Sequence, residues 1–325
     1  MKTFRHFQAD SVAEALSLVS QFGGKANLIA GGTDLLGVLK GDILSEYPEA
    51  LINIKTIPGL NRIKENHGRL EIGALTRLVD IVQSSIIKEK YGMLAEAAAS
   101  VATPEIRNMG TIGGNLCQDT RCWYYRYPHS IGGRIHCYRK GTGPCHAIKG
   151  DNRYHAIFGG KKCFAVCPSD LATALAALDA DVKVVNPRGE KTIPIADFYA
   201  PRGHVLKPDE IVTAIYVSEP PRNASQSFLK FRLREAIDFA IVSAATVVYI
   251  DEGVCQDARI ILGAVAPAPY RAKAAEEIIR GKSLDASRAE AAAERAVADA
   301  KPLSRNGYKV EVTKTLICRA LLRAD

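Results

Sequence analysis

The cysteines of this chain are concentrated in one stretch. Five of the eight lie in the 50 residues from Arg121 to Asp170, a segment with neither the periodicity of a helix nor the alternation of a strand. Thiols that cluster in a sequence commonly meet in space, as disulfides, as zinc ligands or as ligands of an iron–sulfur cluster. The fold must therefore hold an irregular loop around a small group of sulfur atoms.

The chain as a whole has the composition of an ordinary soluble protein. Its 325 residues are 47% hydrophobic and 24% charged, which predicts two or three domains with substantial cores. The net charge of +8 is spread along the chain without a block of like charges. This pattern favours a basic surface that faces anionic cofactors or acidic partner subunits, and it argues against a nucleic-acid interface.

No segment indicates export or membrane insertion. The N-terminus reads as a strand followed by an amphipathic helix with Ser11 as its N-cap, and it lacks the apolar run of a signal peptide. The longest apolar run, Phe239–Ile250, is too short to cross a bilayer and predicts a buried strand. We expect a cytoplasmic protein, although export as a passenger in a complex would need no signal of its own.

Strand and helix patterns alternate irregularly, which is typical of an α+β fold. Residues 78–100 have the pattern of one long helix, and "SDLATALAALDA" predicts a second, apolar one. Residues 219–227, "EPPRNASQS", read as a linker. Beyond it, three strand patterns followed by alanine-rich helices predict an antiparallel sheet backed by helices.

Two glycine-rich loops are candidates for holding a phosphate group. They are "LIAGGTDLLGVLK" and "RNMGTIGGNLC", and glycine lets a backbone approach a ligand and direct its N–H groups toward it. A tight turn between strand and helix needs glycine for steric reasons alone, so the first loop has a purely structural alternative. Neither loop has the spacing of a Rossmann fingerprint or of a P-loop.

Five segments carry a family resemblance. In chain order they are "AGGTDLL", "IGALTRLVDI", "IRNMGTIGGN", "PSDLATALAALDA" and "FLKFRLREAIDFA". Together they resemble the FAD-binding subunit of the xanthine oxidase family of molybdenum hydroxylases over nearly the whole chain. Five motifs in this order are far more specific than either glycine loop alone.

The resemblance implies a fold and its domains. Residues 1–220 would form a two-subdomain FAD-binding domain of the vanillyl-alcohol-oxidase (PCMH) type, with subdomains at about 1–56 and 57–220. An iron–sulfur insertion would occupy about 117–167. Residues 226–325 would form a C-terminal α+β domain of the CO dehydrogenase flavoprotein type that closes the site.

The resemblance also implies which residues hold FAD. Val101 would pack near the cofactor, at a position where relatives often carry a larger apolar residue. Asp170 would accept hydrogen bonds from the adenosine or ribitol side, and Lys230 would reach toward the isoalloxazine. The diphosphate and ribitol would lie against Ala30, Gly31, Gly32, Thr33, Asp34, Leu35, Leu36, Thr111, Ile112, Gly113, Gly114 and Asn115.

Two of these residues have ordinary structural alternatives. Ser169-Asp170 precedes an apolar helical pattern, so Asp170 fits a helix N-cap. Lys230 lies in a strand pattern and fits a solvated surface lysine. The residues alone favour these alternatives, and the resemblance favours the cofactor roles.

Three explanations compete for the cysteines. Disulfides would need an oxidising compartment. A structural zinc site usually brings its ligands in close CxxC pairs, which this segment lacks. An iron–sulfur cluster accepts thiolates from well-separated turns, and a flavin protein has use for a one-electron neighbour, so the chemistry favours a cluster.

The length of the segment adds to the resemblance. In this chain 54 residues separate Asn115 from Asp170, far more than in most of these subunits. The insertion is similar to that in the flavin subunits of 4-hydroxybenzoyl-CoA reductase (beta subunit) and of aromatic aldehyde oxidoreductases, which carry a 4Fe-4S cluster. The matching pattern places its ligands at Cys122, Cys137, Cys145 and Cys163, with Cys167 as the alternative to Cys163.

The resemblance implies an electron-transfer subunit without catalytic residues of its own. FAD and the cluster would relay electrons between the 2Fe-2S and molybdenum-cofactor subunits of an oxidoreductase and an external carrier such as ferredoxin. Hydroxybenzoyl-CoA reduction and aldehyde or heterocycle dehydrogenation all use such a subunit. The rival hypotheses are a free-standing flavin oxidoreductase and a zinc-stapled scaffold without flavin.

Overall fold

The computed structural model describes residues 1–66 and 68–323. The end of the expected second domain, at residues 324 and 325, lies outside the described residues. Within the two described ranges, every helix is too short or too polar to cross a bilayer.

The first subdomain is a three-stranded parallel sheet with helices. Strand β3 lies between β1 and β2, and the helix after β1 begins where Ser11 accepts a hydrogen bond from the N–H of Glu14. Glu14 in return accepts the N–H of Asp10, the residue before the cap, which adds a second hydrogen bond at this end of the helix. Its elements are β1 (Arg5–Gln8), α1 (Val12–Gln21), β2 (Ala26–Ile29), α2 (Leu35–Lys40) and β3 (Ala50–Asn53).

The second subdomain begins with a hairpin and a run of short helices. The N-terminal ends of two of these helices are stabilised by side chains, since Ser84 caps one and Thr111 caps another. The elements are β4 (Ile63–Asn66), β5 (Arg69–Gly73), α3 (Leu78–Gln83), α4 (Ser85–Lys90), α5 (Gly92–Ala99), α6 (Pro104–Met109) and α7 (Ile112–Leu116).

The cysteine-rich segment has little regular structure, as its sequence predicts. It contains α8 (His129–Gly132) and two 3-10 turns, Tyr138–Lys140 and His146–Ile148. After it the chain returns to the second subdomain through α9 (Asp170–Ala177), β6 (Asp181–Asn186), β7 (Gly189–Pro194), β8 (Tyr199–Ala200), β9 (Gly203–His204) and β10 (Ile211–Ser218). The antiparallel sheet of this subdomain has the order β4-β5-β10-β6-β7.

The C-terminal part is the predicted antiparallel sheet backed by helices. Its strand order is β11-β12-β13-β14, and alanine-rich helices cover the sheet. The elements are β11 (Ala224–Phe231), β12 (Val242–Asp251), β13 (Val254–Gly263), β14 (Tyr270–Arg271), α10 (Lys273–Ile279), α11 (Ala286–Val297) and α12 (Tyr308–Leu321).

Helix α9 joins the two halves of the molecule. All eight of its residues are buried, and it packs against α5 on one side and against β12 and β13 on the other. A helix that is apolar all round is stable only when it is enclosed. The predicted apolar helix is therefore confirmed, and its burial fixes the C-terminal sheet beside the end of the cysteine-rich segment.

The single long helix predicted for residues 78–100 is wrong. The segment forms α3, α4 and α5, with breaks at Ser84 and Tyr91. Ser84 adopts an extended backbone and its hydroxyl accepts the N–H of Ile87, so a side-chain cap replaces the continuing helix. Tyr91 is fully buried, and its packing fixes the second turn.

Lys309, a residue of α12, binds the backbone near the end of the cysteine-rich segment. The side chain is fully buried, and its ammonium donates to the carbonyls of His155 at 3.0 Å and Ala264 at 2.6 Å. Asn306 donates to the same His155 carbonyl at 3.1 Å. Burial lowers the pKa of Lys309 to about 7.

Replacing Lys309 with Met should remove the part of the pH dependence of the free energy of unfolding that comes from titration of this lysine. The ordinary pKa is 10.5, so between about pH 7 and pH 10 the unfolded chain binds the additional proton. The free energy of unfolding should then rise with pH by up to about 1.4 kcal/mol per pH unit, and this contribution is constant below pH 7. Melting temperatures of wild type and Lys309→Met near pH 7 and pH 9 measure the difference. An identical pH response of the two proteins would contradict this assignment.

Candidate functional site

The two glycine loops lie against each other. A Cβ atom on Gly31 would fall 2.0 Å from the carbonyl oxygen of Met109 and 3.1 Å from the Cα of Gly110. Real Cβ atoms never approach a backbone so closely, so glycine is required at this contact. Gly31 is therefore required for steric reasons, as the structural alternative for the first loop holds. The close contact that it allows brings the two loops together at the site.

The loops line one side of a cleft of about 540 Å³. This volume is in the range of small-molecule sites. The opposite wall comes from β10 and the segment before it, including Lys207 and Ile211. The predicted cofactor residues that line the cleft are Ala30, Gly31, Gly32, Thr33, Asp34, Leu35, Thr111, Gly113 and Gly114.

The remaining predicted FAD residues do not line this cleft. Leu36 lies behind Gly32, Ile112 is fully buried, and Asn115 accepts a hydrogen bond from Ser169 at 2.6 Å. The carbonyl of Val101 accepts a hydrogen bond from Arg107 at 2.7 Å. The structure thus places these four side chains in the supporting structure around the loops.

Cations face the cleft from segments that the sequence motifs do not include. They are Arg139, Arg202 and Lys207. Positive side chains beside glycine loops suit a diphosphate, because the charge and the backbone N–H groups act on the same anion. These residues carry no motif, and only their position in the fold reveals them.

The carboxylate of Asp34 is already paired within the protein. It forms ion pairs with Arg121 and, at 2.7 Å, with Arg126, and it accepts the N–H of Asp119 at 2.8 Å. Burial alone would raise the pKa of Asp34, but the two arginines hold it below its ordinary value. Asp34 therefore ties the first loop to the start of the cysteine-rich segment, while its backbone lines the cleft.

Four cysteines of the insertion line one small cavity. They are Cys122, Cys137, Cys145 and Cys163. All eight cysteines of the chain are free thiols. Burial raises the pKa of Cys122 to about 11, and the proximity of Cys163 and Cys145 contributes in the same direction. Among the described residues, no three His, Cys, Asp or Glu side chains converge closely enough to bind one metal ion.

Cys167 lies apart from these four. It does not line their cavity, and it lines a different one of about 280 Å³. Its N–H donates to the carbonyl of Ala266 at 3.0 Å, and burial raises its pKa to about 11. Cys117 lines the glycine-loop cleft, and burial raises its pKa to about 12. Neither thiol lines the four-cysteine cavity, although Cys167 shares the second cavity with Cys122.

The cavity of about 280 Å³ lies between the insertion and the C-terminal sheet. Its wall includes Cys122 and Asp170. Asp170 pairs with Lys230 at 2.6 Å, with both side chains almost fully buried, and Lys230 also donates to the carbonyl of Ser100 at 3.0 Å. Ser169 provides the N-cap of α9, so Asp170 is free of that role, and Lys230 is not a solvated strand lysine.

The sequence offers His155 only as one of four histidines near the cysteines, any one of which could replace a thiolate as ligand, although surface histidines in a polar loop are the commoner case. Nothing in the sequence distinguishes it. In the structure it is 3% exposed, it lines the same cavity as Asp170, and its Nε2 lies 3.2 Å from the Sγ of Cys122. Burial lowers the pKa of His155 to about 4.

The fold and the two loops define an α+β protein that binds a dinucleotide cofactor outside the Rossmann class. The family described as the FAD binding domain in molybdopterin dehydrogenase matches residues 2–220, and the CO dehydrogenase flavoprotein C-terminal domain matches residues 227–324. The chain belongs to the FAD-binding subunits of the xanthine oxidase family of molybdenum hydroxylases. Its fold combines a two-subdomain PCMH-type domain with a C-terminal domain of the CO dehydrogenase flavoprotein type, as the resemblance implies.

Similar proteins span the whole chain. The aldehyde oxidoreductase FAD-binding subunit PaoB of Escherichia coli (strain K12) is 34% identical and covers 100% of this chain and 99% of its own length. The carbon monoxide dehydrogenase medium chain of Hydrogenophaga pseudoflava is 28% identical over 98% of this chain and 96% of its own. A solved structure of carbon monoxide dehydrogenase from that organism, lacking the Mo-pyranopterin moiety of its cofactor, superposes with a TM-score of 0.79 at 28% identity, covering 99% and 97% of the two chains.

Replacing Gly31 with Ala should weaken FAD binding. The methyl group would meet the Met109 backbone, and the loops would have to separate at a cost of about 1–3 kcal/mol, which corresponds to binding about 5- to 140-fold weaker. Flavin absorbance per polypeptide and titration with FAD measure the loss. The matched control is Gly37→Ala in α2, where a Cβ meets nothing within 4 Å and binding should be unchanged. Equal affinities for the two variants would contradict the role of the loop contact.

Proposed function

We propose that this chain is the FAD and 4Fe-4S electron-transfer subunit of a heteromeric molybdenum-cofactor oxidoreductase. It relays electrons between the 2Fe-2S and molybdenum subunits and an external carrier such as ferredoxin. The observation that carries the proposal is that Cys122 lines both the four-cysteine cavity and the cavity beside Asp170 and Lys230. When bound, FAD converts between two-electron and one-electron transfer, and the cluster transfers single electrons.

The residues present fit FAD. The cleft has the volume of a cofactor site, and three cations beside its glycine loops suit the diphosphate. Thr111 accepts the N–H of Gly114 at 3.2 Å, which holds the second loop open toward the cleft. Asp170, which lines the neighbouring cavity, and Lys230, which is paired with it, would orient the ribitol and the isoalloxazine. Val101, Leu36, Ile112 and Asn115 would support the loops.

The four thiols fit a 4Fe-4S cluster. In such a cluster each thiolate binds a different iron, so the ligands surround a shared volume and do not converge on one point. Cys122, Cys137, Cys145 and Cys163 line one small cavity, which supplies such a shared volume. We therefore assign Cys122, Cys137, Cys145 and Cys163 as the ligands, and we assign Cys167 to packing.

Lys140 supports a negatively charged group in that cavity. Its Nζ is buried and has no hydrogen-bond partner among the described residues. Burial lowers the pKa of Lys140, and the neighbouring Cys137 opposes the shift. A cluster held by four thiolates carries net negative charge, which would stabilise an ammonium that otherwise lacks a partner.

Two residues connect the cluster cavity to the FAD cleft. Tyr125 and Arg139 line both cavities, and the Arg139 guanidinium lies 5.5 Å from the centre of the Tyr125 ring. Asp119 holds them together, because it accepts hydrogen bonds from the Tyr125 hydroxyl and, at 2.9 Å, from Arg139. The cofactors would thus be separated by a single layer of side chains, which favours electron transfer between them.

The partners follow from this role. The chain is the flavin subunit of its family, so we propose a large molybdenum-cofactor subunit that holds the substrate pocket and a small subunit with 2Fe-2S clusters. The net charge of +8 suits acidic partners, including an acidic one-electron carrier.

The domain division we propose is 1–220 and 226–325, with subdomains at about 1–56 and 57–220 and the insertion at about 117–167.

The anaerobically purified chain should contain FAD together with iron and acid-labile sulfide. Its absorbance should show flavin bands on a broad iron–sulfur shoulder, and about four iron atoms per chain are expected. Flavin bands without iron would favour a free-standing flavin oxidoreductase, and zinc without flavin would favour a stapled scaffold. Substrate turnover should require the partner subunits, so turnover by the isolated chain would also contradict the proposal.

The ligand assignment predicts opposite results for two neighbouring cysteines. Cys163→Ser should lose at least one of about four iron atoms, because a cluster ligand is removed, whereas Cys167→Ser should retain the full content. Iron and sulfide analysis with EPR spectroscopy of the reduced proteins measures this. FAD content should stay unchanged in both variants and serves as the folding control. Loss of iron from Cys167→Ser alone would exchange the two assignments.

A further inference from the structure

His155 presents a ring N–H to one of the proposed cluster ligands. Its Nε2 lies 3.2 Å from the Sγ of Cys122, within the reach of an N–H···S hydrogen bond. Among the described residues, Cys122 is the one member of the four whose sulfur receives a side-chain hydrogen bond. It is also the member that lines the cavity beside Asp170.

The surrounding structure fixes the position of His155. Its carbonyl accepts hydrogen bonds from Lys309 and Asn306, and its own N–H donates to the carbonyl of Asn152 at 3.0 Å. The ring packs edge-on against Trp123, with 5.8 Å between ring centres. Because contacts fix both its backbone and its ring, the His155 side chain loses little further conformational entropy when it forms a hydrogen bond.

The hydrogen-bond partners decide which ring nitrogen carries the proton. Nδ1 has no partner among the described residues, whereas Nε2 has the sulfur. An N–H group on Nε2 has the Cys122 sulfur as its acceptor, whereas an N–H group on Nδ1 would be buried without one. The ring therefore donates a hydrogen bond to Cys122.

We propose that His155 is a positioning residue that acts through Cys122 to raise the reduction potential of the cluster on the side that faces the flavin. The inference rests on the proposed function, since it requires the cluster. A hydrogen-bond donor stabilises negative charge on sulfur, and that charge is greater in the reduced cluster. The donor therefore favours reduction of the cluster, and it acts through Cys122, the ligand that also lines the cavity beside Asp170.

Variants of His155 separate the hydrogen bond from packing. His155→Leu fills much of the ring's space without a donor, and His155→Gln retains an amide N–H. The matched control is His129→Leu, which removes an exposed histidine of the same insertion. EPR-monitored redox titration of the full chain, with iron and sulfide analysis, should show a more negative midpoint potential for His155→Leu. His155→Gln should lie close to wild type, and His129→Leu should equal it.

Three results would overturn the proposal. An unchanged potential in His155→Leu with full iron content would show that the hydrogen bond has no effect. The same negative shift in all three variants would show that it is not specific to His155. Loss of iron from both His155 variants would identify a ligand or a purely structural residue.

A measurement on the wild type decides the question even if a variant does not fold. Pulsed EPR on the reduced chain, produced with ¹⁵N-histidine, should detect one weakly coupled imidazole nitrogen. The absence of coupling, or the strong coupling of a direct iron ligand, would overturn the inference while leaving the cluster in place. A wild-type chain without sulfide or a cluster signal would instead overturn the proposed function itself.

Discussion

The ion pairs of Asp34 are the interaction on which the arrangement of this molecule depends. Asp34 follows the first glycine loop, and its carboxylate binds Arg121 and Arg126 at the start of the cysteine-rich insertion. Arg121 also lies 4.5 Å from the centre of the Phe239 ring in the C-terminal domain. Removing the Asp34 carboxylate would leave both largely buried guanidinium groups without it as counterion, at a cost of about 3–5 kcal/mol. One carboxylate therefore holds the FAD loop, the insertion and the C-terminal domain in a fixed relation.

This connection explains how an irregular insertion can serve a flavin site. The position of the insertion is fixed by side-chain contacts near its two ends. Asp119 holds Tyr125 and Arg139 between the two cavities, and Lys309 and Asn306 hold its far end at His155. Because both ends are fixed by buried polar contacts, the four thiols line one cavity.

Local patterns predicted much of the fold and part of the site. The N-cap at Ser11, the apolar helix α9 and the C-terminal sheet follow from local residue patterns, and the glycine loops were recognisable as motifs. The long helix at 78–100 failed because the cap at Ser84 and the packing of Tyr91 override helix periodicity. The sequence did not single out Arg139, Arg202 or His155. None of them belongs to a motif, so each gains its role only from the residues that the fold places beside it.

The sequence by itself determined the family, the fold class and the identity of the candidate cysteines, because ordered motifs and thiol spacing are written in the chain. Only the tertiary structure decided which thiols share a cavity, that Asp34 pairs with arginines, and that Asp170 pairs with Lys230. These relations join residues that are far apart in sequence. Their contacts depend on how helices and sheets pack, which no local pattern of residues specifies.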